Sequence, residues 1–186
     1  MPESAETTAM GRSEFRIAGA GGQGVVTAGR ILAEAAILSG SEAIHSQVYG
    51  PQSRGGASRS DVVIATEQIG YPLAEQIDLL VALSGEACSR YHPELMEHGR
   101  LVADSRCAPT SLGVRDHQFP IVDTARSISG GHLVSGVVTL GVLQALTGAV
   151  ETDALDRAVA DRVPSRHLEM NLKALRAGAR LVTGGV

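Results

Sequence analysis

The sequence FRIAGAGGQGVV at residues 15–26 joins a short apolar run to a glycine-rich turn and then to a series of small residues. This order predicts a β-strand, a tight turn of the GxGxxG type and the start of an α-helix. In such a turn the glycines let the backbone approach a phosphate group, and the N–H groups and positive dipole end of the helix face it. The candidate cofactor-binding residues are therefore Gly19, Gly21, Gly22, Gln23 and Gly24. The alternative is that the glycines only let the helix pack closely against the sheet.

A second glycine-rich stretch, SQVYGPQSRGGASRS at residues 46–60, precedes another apolar run. Gly-Pro and Gly-Gly are ordinary turn signals, so one interpretation is a plain connection between two strands. Two arginines flanking a Gly-Gly pair favour a binding role. Guanidinium groups form paired hydrogen bonds with phosphates or carboxylates, and glycines leave backbone N–H groups accessible to the same ligand. The candidate binding residues here are Tyr49, Arg54, Gly55, Gly56 and Arg59.

The rest of the chain alternates between strand and helix patterns. Several predicted strands are continuous apolar runs, which are typical of a sheet covered on both faces; the strands are 14–19, 42–48, 61–67, 77–83, 100–104 and 118–122. The predicted helices are 23–39, 85–96, 133–146, 152–161 and 165–182. These elements predict an α/β fold, a three-layer α/β/α sandwich with a mostly parallel, Rossmann-like sheet.

Two of the predicted helices have alternatives. Residues 133–146 contain β-branched side chains that also suit a strand, but Gly136, Gly141 and Gly148 favour a helix in tight contact with the sheet or a neighbouring subunit. The last helix carries an apolar face that predicts core packing, with a subunit interface as the alternative; its members are Leu168, Leu172, Leu175, Ala179 and Val182. Residues 1–12 are polar or small without periodicity and predict a disordered tail, which leaves 13–186 as a single domain.

Composition excludes several classes of protein. The 186 residues carry a net charge of -4 and only 3% aromatic side chains, with no basic run, so nucleic-acid binding is not expected. No apolar run approaches the roughly 18 residues of a membrane span and no secretion signal is visible, so we expect a cytoplasmic protein. Cys88 and Cys107 are isolated, which predicts buried or reduced thiols rather than a disulfide, a metal site or an iron–sulfur cluster.

Few residues suggest chemistry performed by this chain alone. No nucleophile elbow, HExxH or paired metal-ligand motif occurs, so no catalytic residue and no metal site is predicted. Among six scattered histidines, only His45 and His132 stand out, because they lie near glycine-rich segments. Asp104 ends a predicted strand, where both a ligand contact and a helix cap are reasonable. The acidic residue that holds a ribose hydroxyl in NAD-binding proteins is missing, since Glu42 lies at the beginning of the second strand rather than at its end.

Taken in order, GxGGQGV, QxYGPxxRGGASRS, Tyr71-Pro72 and the apolar run 78–83 resemble the gamma subunit of 2-oxoacid:ferredoxin oxidoreductases, of the 2-oxoglutarate or 2-ketoisovalerate type. The resemblance extends from about residue 14 to the closing helix, and implies a pyruvate/ketoisovalerate oxidoreductase gamma-type domain over 13–186. In this family a 2-oxoacid is decarboxylated on thiamine diphosphate, electrons pass through iron–sulfur clusters to ferredoxin, and the acyl group leaves as a coenzyme A thioester. This sequence has neither a Gly-Asp-Gly thiamine motif nor cluster cysteines. The resemblance therefore implies that thiamine diphosphate and the clusters belong to partner subunits, namely alpha and beta, with or without delta.

The same resemblance implies that this chain completes the active site and its coenzyme A region without being catalytic alone. Residues 19–24, the glycine turn, and residues 49–59, the arginine loop, suit the phosphates of coenzyme A. Our hypothesis is that the loop 49–59 reaches toward the partner's thiamine site, where it positions coenzyme A and excludes water. Of the possible substrates we favour 2-oxoglutarate. The alternatives are a stand-alone nucleotide-binding sensor or scaffold, and the small subunit of an indolepyruvate oxidoreductase.

Overall fold

A six-stranded β-sheet forms the centre of the protein. The computed structural model describes residues 11–49, 57–107, 112–131 and 133–184. The strands are β1 (Arg12–Ala20), β2 (Glu42–Tyr49), β3 (Ala57–Ala65), β4 (Ile77–Ala82), β5 (Leu95–Asp104) and β6 (His117–Phe119), in the spatial order β2-β3-β1-β4-β5-β6. The β1–β4, β4–β5 and β5–β6 pairs are parallel, whereas β3 is antiparallel to both β1 and β2. Five strands therefore point in one direction and β3 alone opposes them, which confirms the mostly parallel sheet.

In the part of the chain that the structure describes, six α-helices cover the sheet: α1 (Val25–Leu38), α2 (Gly85–Tyr91), α3 (Ile121–Ser129), α4 (Ser135–Thr147), α5 (Thr152–Arg162) and α6 (Ser165–Thr183). The larger core lies on the face of Ile17 and Val81, where α1 and the last four helices bury their apolar sides. On the opposite face, Ala18 and Leu80 pack with residues of α2. Helices therefore lie on both faces and the three-layer α/β/α architecture is confirmed, with one layer much thinner than the other.

Two glycines bring α4 and α6 into close contact. A Cβ on Gly141 would lie 2.0 Å from the carbonyl oxygen of Leu175, and a Cβ on Gly178 would lie 2.0 Å from that of Val138. The predicted tight contact of Gly141 is therefore with α6, not with the sheet or another subunit. Gly148 has a different role, because it ends α4 with a φ of 61°, in the left-handed region that glycine adopts without strain.

The structure corrects several predicted boundaries. Helix α2 ends at Tyr91 and a 3₁₀ turn follows, because Pro93 has no N–H to continue the α-helical hydrogen bonds; β5 then begins at Leu95. The predicted strand 118–122 is wrong in its second half, where α3 begins at Ile121. Residues 1–10 of the predicted tail lie outside the described residues, but Arg12 belongs to β1 and pairs with Ala65.

The C-terminal helix packs against the core as predicted. Leu175 is 2% exposed, and Leu168, Leu172 and Val182 are partly buried against the same apolar cluster. The most buried face of α6 also includes Asn171, which the apolar pattern did not indicate.

Both cysteines are free and buried, as the sequence predicted. Burial is the main cause that raises the pKa of the Cys107 thiol to about 11, so this thiol stays protonated at neutral pH. Across the described ranges, no helix is long and apolar enough to cross a lipid bilayer.

Candidate functional site

The two glycine-rich stretches meet at one edge of the sheet. In the β1–β3 pair, Ala20 lies opposite Ala57, Gly19 opposite Ser58 and Ala18 opposite Arg59. The glycine turn thus leaves β1 beside the point where β3 begins. Because β2 runs in the same direction as β1, β2 also ends at this edge, at Tyr49, where the carboxyl ends of the parallel strands lie. Open α/β sheets bind their ligands at that edge.

The glycine turn has the backbone conformation that its sequence predicts. Gly22 has a φ of 88° and Gly24 a φ of 76°, both in the left-handed region. Gly21 and Gly22 are exposed at the tip of the turn. Gly24 is the N-terminal cap residue of α1 and has no side chain to satisfy the first N–H groups of that helix. The turn therefore presents glycine backbone to solvent next to the positive end of a helix.

The interior of the turn is filled by the side chain of Gln23, which is 8% exposed. The N–H of Ala20 donates to Gln23 Oε1 at 2.7 Å, and Gln23 Nε2 donates to the carbonyl oxygen of Leu83 at 3.2 Å. A Cβ on Gly19 would lie 2.4 Å from Gln23 Oε1, so a larger residue there would displace the Gln23 side chain. Gln23 thus joins the end of β1 to the end of β4. The helices that follow these two strands lie on opposite faces of the sheet, so this point is the topological switch point.

The position of Gln23 adds a physical reason against dinucleotide binding. In Rossmann enzymes the pyrophosphate approaches the glycine turn directly at the switch point. Here an amide of the protein itself occupies the inner side of the turn and makes the hydrogen bonds available there. Only the exposed tip at Gly21 and Gly22 is left to meet an anion.

The start of α4 packs directly on the same turn. The N–H of Gly136 donates to the carbonyl oxygen of Gln23 at 2.9 Å. A Cβ on Gly136 would lie 2.5 Å from the carbonyl oxygen of Gly24. Leu133, immediately before α4, is 74% exposed. The predicted tight contact of Gly136 is therefore with the glycine turn, and the N-terminal ends of α1 and α4 meet at the site.

Arg59 lies on the thin face of the sheet in a buried ionic cluster. Its Nε is 3.2 Å from Asp61 Oδ2, and its guanidinium carbon lies 5.6 Å from the centre of the Tyr91 ring. Asp61 also binds Arg16 through two hydrogen bonds, from Nε at 2.7 Å and from Nη2 at 3.0 Å. Arg16 makes a further ion pair with Glu94. Tyr91 packs between these charges, since the guanidinium of Arg16 also lies over its ring at 5.2 Å.

Burial and ion pairing act in opposite directions on Arg16, which is only 3% exposed. Burial disfavours its charge, but the hydrogen bonds and charges of Asp61 and Glu94 outweigh this and raise the pKa of the guanidinium above its ordinary value. Arg59 differs from Arg16. It is 26% exposed, and its buried Nε has no hydrogen-bond partner among the described residues. The cluster therefore fixes Arg59 at the start of β3, with part of its side chain still exposed.

The structure describes only some of the other candidate residues. Arg54, Gly55, Gly56 and the side chain of Tyr49 lie outside the described residues, and so does His132. Asp104 is completely buried and accepts hydrogen bonds from the N–H groups of Arg106 at 3.0 Å and Val122 at 2.8 Å. Its role is therefore to cap α3, the second of the two roles that the sequence left open.

His45 lies on the large-core side of the sheet, away from the ionic cluster. Its Nε2 is 2.7 Å from the hydroxyl of Ser60, which is fully buried. Gly29 of α1 lies above this pair, and a Cβ there would lie 1.8 Å from Ser60 Oγ. Burial, and secondly the charge of Arg30, lower the pKa of His45, so it is neutral at pH 7. Within the described ranges, no cluster of three or more His, Cys, Asp or Glu side chains is arranged to hold a metal ion.

The sequence interpretation missed Arg16, Asp61 and Tyr91. A usable signal was present for Arg16, since a charged residue in the middle of the apolar run before the glycine turn has to find a partner when the strand is buried. Its partner could not be named, because Asp61 is 45 residues away and becomes its neighbour only through the β1–β3 register.

The chain is similar to known proteins along nearly its whole length. The sequence model of the pyruvate ferredoxin/flavodoxin oxidoreductase family matches residues 14–181. The chain belongs to this family. The matched region contains both sheet faces, the glycine turn, the arginine loop and nearly all of the closing helix, so the family resemblance inferred from the motifs is confirmed.

Individual relatives match over almost their whole length. The 2-oxoglutarate synthase subunit KorC of Methanothermobacter thermautotrophicus is 39% identical over 94% of this chain and 97% of its own length. The crystal structure of a keto/oxoacid ferredoxin oxidoreductase gamma subunit from Geobacter sulfurreducens is 42% identical, with a TM-score of 0.81 over 94% of this chain and 98% of that one. The indolepyruvate oxidoreductase subunit IorB of Methanothermobacter thermautotrophicus is more distant, at 25% identity over 87% of this chain and 93% of its own length.

Proposed function

We propose that this chain is the gamma subunit of a cytoplasmic 2-oxoacid:ferredoxin oxidoreductase whose substrate is 2-oxoglutarate. The observation that carries the proposal is similarity at 39% identity along nearly the whole of a 2-oxoglutarate synthase subunit. The 25% identity to an indolepyruvate oxidoreductase subunit makes that alternative the weaker one. The stand-alone sensor is also weaker, because the relatives named above are oxidoreductase subunits.

In this proposal the work of the reaction is divided between chains. The partner subunits hold thiamine diphosphate, on which the 2-oxoacid loses carbon dioxide, and the iron–sulfur clusters that carry electrons to ferredoxin. They are an alpha and a beta subunit, with or without a delta subunit. The gamma subunit has no catalytic residue of its own. It completes the active site by binding coenzyme A, the acceptor of the acyl group.

The carboxyl-end edge of the sheet has features that fit the phosphates of coenzyme A. Gly21 and Gly22 are exposed beside the positive end of α1, which favours an anion. Arg59, at the base of the arginine loop, is partly exposed and carries a positive charge that favours a phosphate, whereas its buried Nε pairs with Asp61. The interior of the turn does not fit a phosphate, since Gln23 fills it. We therefore assign phosphate contact to the tip of the turn and to the arginine loop.

In this proposal the arginine loop positions coenzyme A. Tyr49 ends β2 and Arg59 lies near the start of β3, and Arg54, Gly55 and Gly56 lie between them in the sequence. Because β2 and β3 are paired in continuous register, the strand residues at both ends of this loop are fixed. In our proposal the residues between them extend toward the partner. The loop holds coenzyme A against the thiamine site and keeps water away from the acyl intermediate, which would otherwise be hydrolysed.

Kinetics of the assembled complex test this assignment. Arg54→Ala and Arg59→Ala should each raise the KM for coenzyme A about 10-fold or more, the usual effect of losing one charge-assisted hydrogen bond, with little change in the KM for 2-oxoglutarate. Arg126→Ala is the matched control, since this arginine is half exposed on α3 and pairs only weakly with Asp123 at 3.8 Å. An intact complex in which both loop variants keep the wild-type KM for coenzyme A would refute the coenzyme A role.

A further inference from the structure

Strand β2 forms one edge of the sheet, and none of the described strands pairs with its outer side. It pairs with β3 along all eight residues from Glu42 to Tyr49 without a bulge. Its sequence, EAIHSQVY, contains no proline and no lysine, and its one charged residue is at its start. Natural edge strands are normally short, bulged or protected by charge or proline, since an open edge pairs with other chains. An eight-residue edge without these protections indicates a strand that is covered in the assembled protein.

A groove of about 650 Å³ runs beside this edge, between β2, α1 and the end of α5. One end of the groove is apolar and is lined by Ile37, Leu38 and Ala43. Ile37 is 59% exposed and Leu38 is 46% exposed. The other end is lined by Arg30 and His45. The groove is therefore polar at one end and apolar at the other, along the direction of the strand.

The charge of the groove is positive. Arg162 also lines it, but its guanidinium binds the carboxylate of Glu34, so those two charges balance. Arg30 makes a hydrogen bond of 3.4 Å with the neutral side-chain amide of Gln47 and keeps its charge unbalanced by that contact. Two arginines and one glutamate thus leave an excess of one positive charge, located at the polar end. His45 adds none at neutral pH, since its pKa is lowered.

We propose that β2 is a docking edge for an extended segment of a different protein chain, which adds a strand to the sheet and fills the groove. Main-chain hydrogen bonds to β2 supply affinity, and alternate side chains of the segment enter the groove. The segment places a carboxylate at Arg30 and an aliphatic side chain between Ile37 and Leu38. Under the proposed function this segment belongs to another subunit of the oxidoreductase, so the identity of the partner rests on that function. The docking edge is argued from β2 and the groove and does not depend on the proposed function.

A second copy of this chain fits the groove less well. In a symmetric dimer, the β2 strands of two copies would pair antiparallel about a twofold axis perpendicular to the sheet. This axis would place the apolar end of one groove beside the polar end of the other. Ile37 of one copy would then face Arg30 of its partner, which leaves a charged group opposite an aliphatic one. The asymmetry of the groove therefore favours a different chain.

Hydrogen exchange tests the proposal on the native complex. In an antiparallel pair alternate residues point their N–H groups away from the neighbouring strand, so β2 has about four outward amides. In the complex purified from its native cells, the peptide 42–49 should take up about four fewer rapidly exchanging deuterons than it does in the isolated chain. An active complex in which this peptide exchanges as fast as in the isolated chain would overturn the docking edge and leave the proposed function intact. Failure of any subunit to co-purify would overturn both.

Matched variants separate the groove from the rest of the surface. Ile37→Lys and Arg30→Glu should each weaken binding of this chain to the remaining subunits at least 10-fold, since one loses a buried aliphatic contact and the other reverses the complementary charge. Val114→Lys and Arg126→Glu make the same changes at exposed positions elsewhere and should leave binding within twofold. Equal binding by all four variants would overturn the proposal. Protection of peptide 42–49 in the isolated chain that increases with protein concentration would also overturn it, in favour of a second copy.

Discussion

Asp61→Asn removes one negative charge from beside a guanidinium group that is almost completely out of water. Arg16 is 3% exposed and Asp61 is 4% exposed, and two hydrogen bonds of 2.7 and 3.0 Å join them. Removing one member of such a buried pair costs about 3–5 kcal/mol, because the other charge is left without compensation. Arg16 still has Glu94 and the asparagine oxygen as acceptors, so we expect the lower end, about 3 kcal/mol.

The matched control for this variant is Asp156→Asn. Asp156 also makes a two-bond ion pair, with Arg176, but that arginine is 45% exposed on the surface of α6. An exposed pair of this kind contributes less than about 1 kcal/mol. The same chemical change is therefore made once in a buried pair and once in an exposed pair, and the difference measures the effect of burial.

Thermal unfolding measures both variants. For a protein of this size about 1 kcal/mol corresponds to roughly 2–4 °C in Tm, so Asp61→Asn should lower Tm by about 6–12 °C and Asp156→Asn by no more than about 4 °C. Urea unfolding at constant m-value checks that the change is in stability. Equal, small losses for the two variants would refute the reasoning, because they would mean that water reaches the Arg16 guanidinium.

Three further predictions concern packing, pH and the glycine turn. Gly141→Ala should cost about 1–3 kcal/mol, since its Cβ would overlap a carbonyl oxygen of α6, whereas Gly85→Ala, with open space around it in α2, should be neutral or slightly stabilising in urea unfolding. The pKa of His45 is lowered in the folded protein, so the unfolded chain takes up a proton first as pH falls below about 6.5. The free energy of unfolding should therefore fall by at most about 1.4 kcal/mol per pH unit there, and by less in His45→Gln. Gln23→Leu leaves two buried backbone groups without partners and should cost about 2–4 kcal/mol in calorimetry; a loss below 1 kcal/mol would show that Gln23 does not close the turn.

The sequence predicted those parts of the fold whose signals are local. The glycine turn between β1 and α1 was predicted because an apolar run precedes the GxGxxG pattern and small residues follow it. Two of its glycines, Gly22 and Gly24, have the positive φ angles that few other residues tolerate. Strand β4 was predicted because its six residues, IDLLVA, form a nearly continuous apolar run. The closing helix was predicted from one apolar face with helical periodicity.

The parts that were missed depend on distant contacts. Helix α3 begins with Ile121 and Val122, which have high strand propensity, and its N-terminal cap is the carboxylate of Asp104, which lies 18 residues before the N–H it binds. The ionic cluster was missed because Arg16 meets Asp61 only after β3 has paired with β1. The role of Gln23 was missed because its second hydrogen bond goes to Leu83, which follows β4, and β4 becomes the neighbour of β1 only through the sheet order.

The central claim is that this chain is the gamma subunit of an oxidoreductase acting on 2-oxoglutarate. Mild affinity purification of the chain from its native cells, followed by an assay of 2-oxoglutarate-dependent and coenzyme A-dependent reduction of ferredoxin, tests it most directly. The account predicts that subunits carrying thiamine diphosphate and iron–sulfur clusters co-purify and that 2-oxoglutarate is the preferred oxoacid. Recovery of the chain alone, without that activity and with a bound nucleotide, would contradict it.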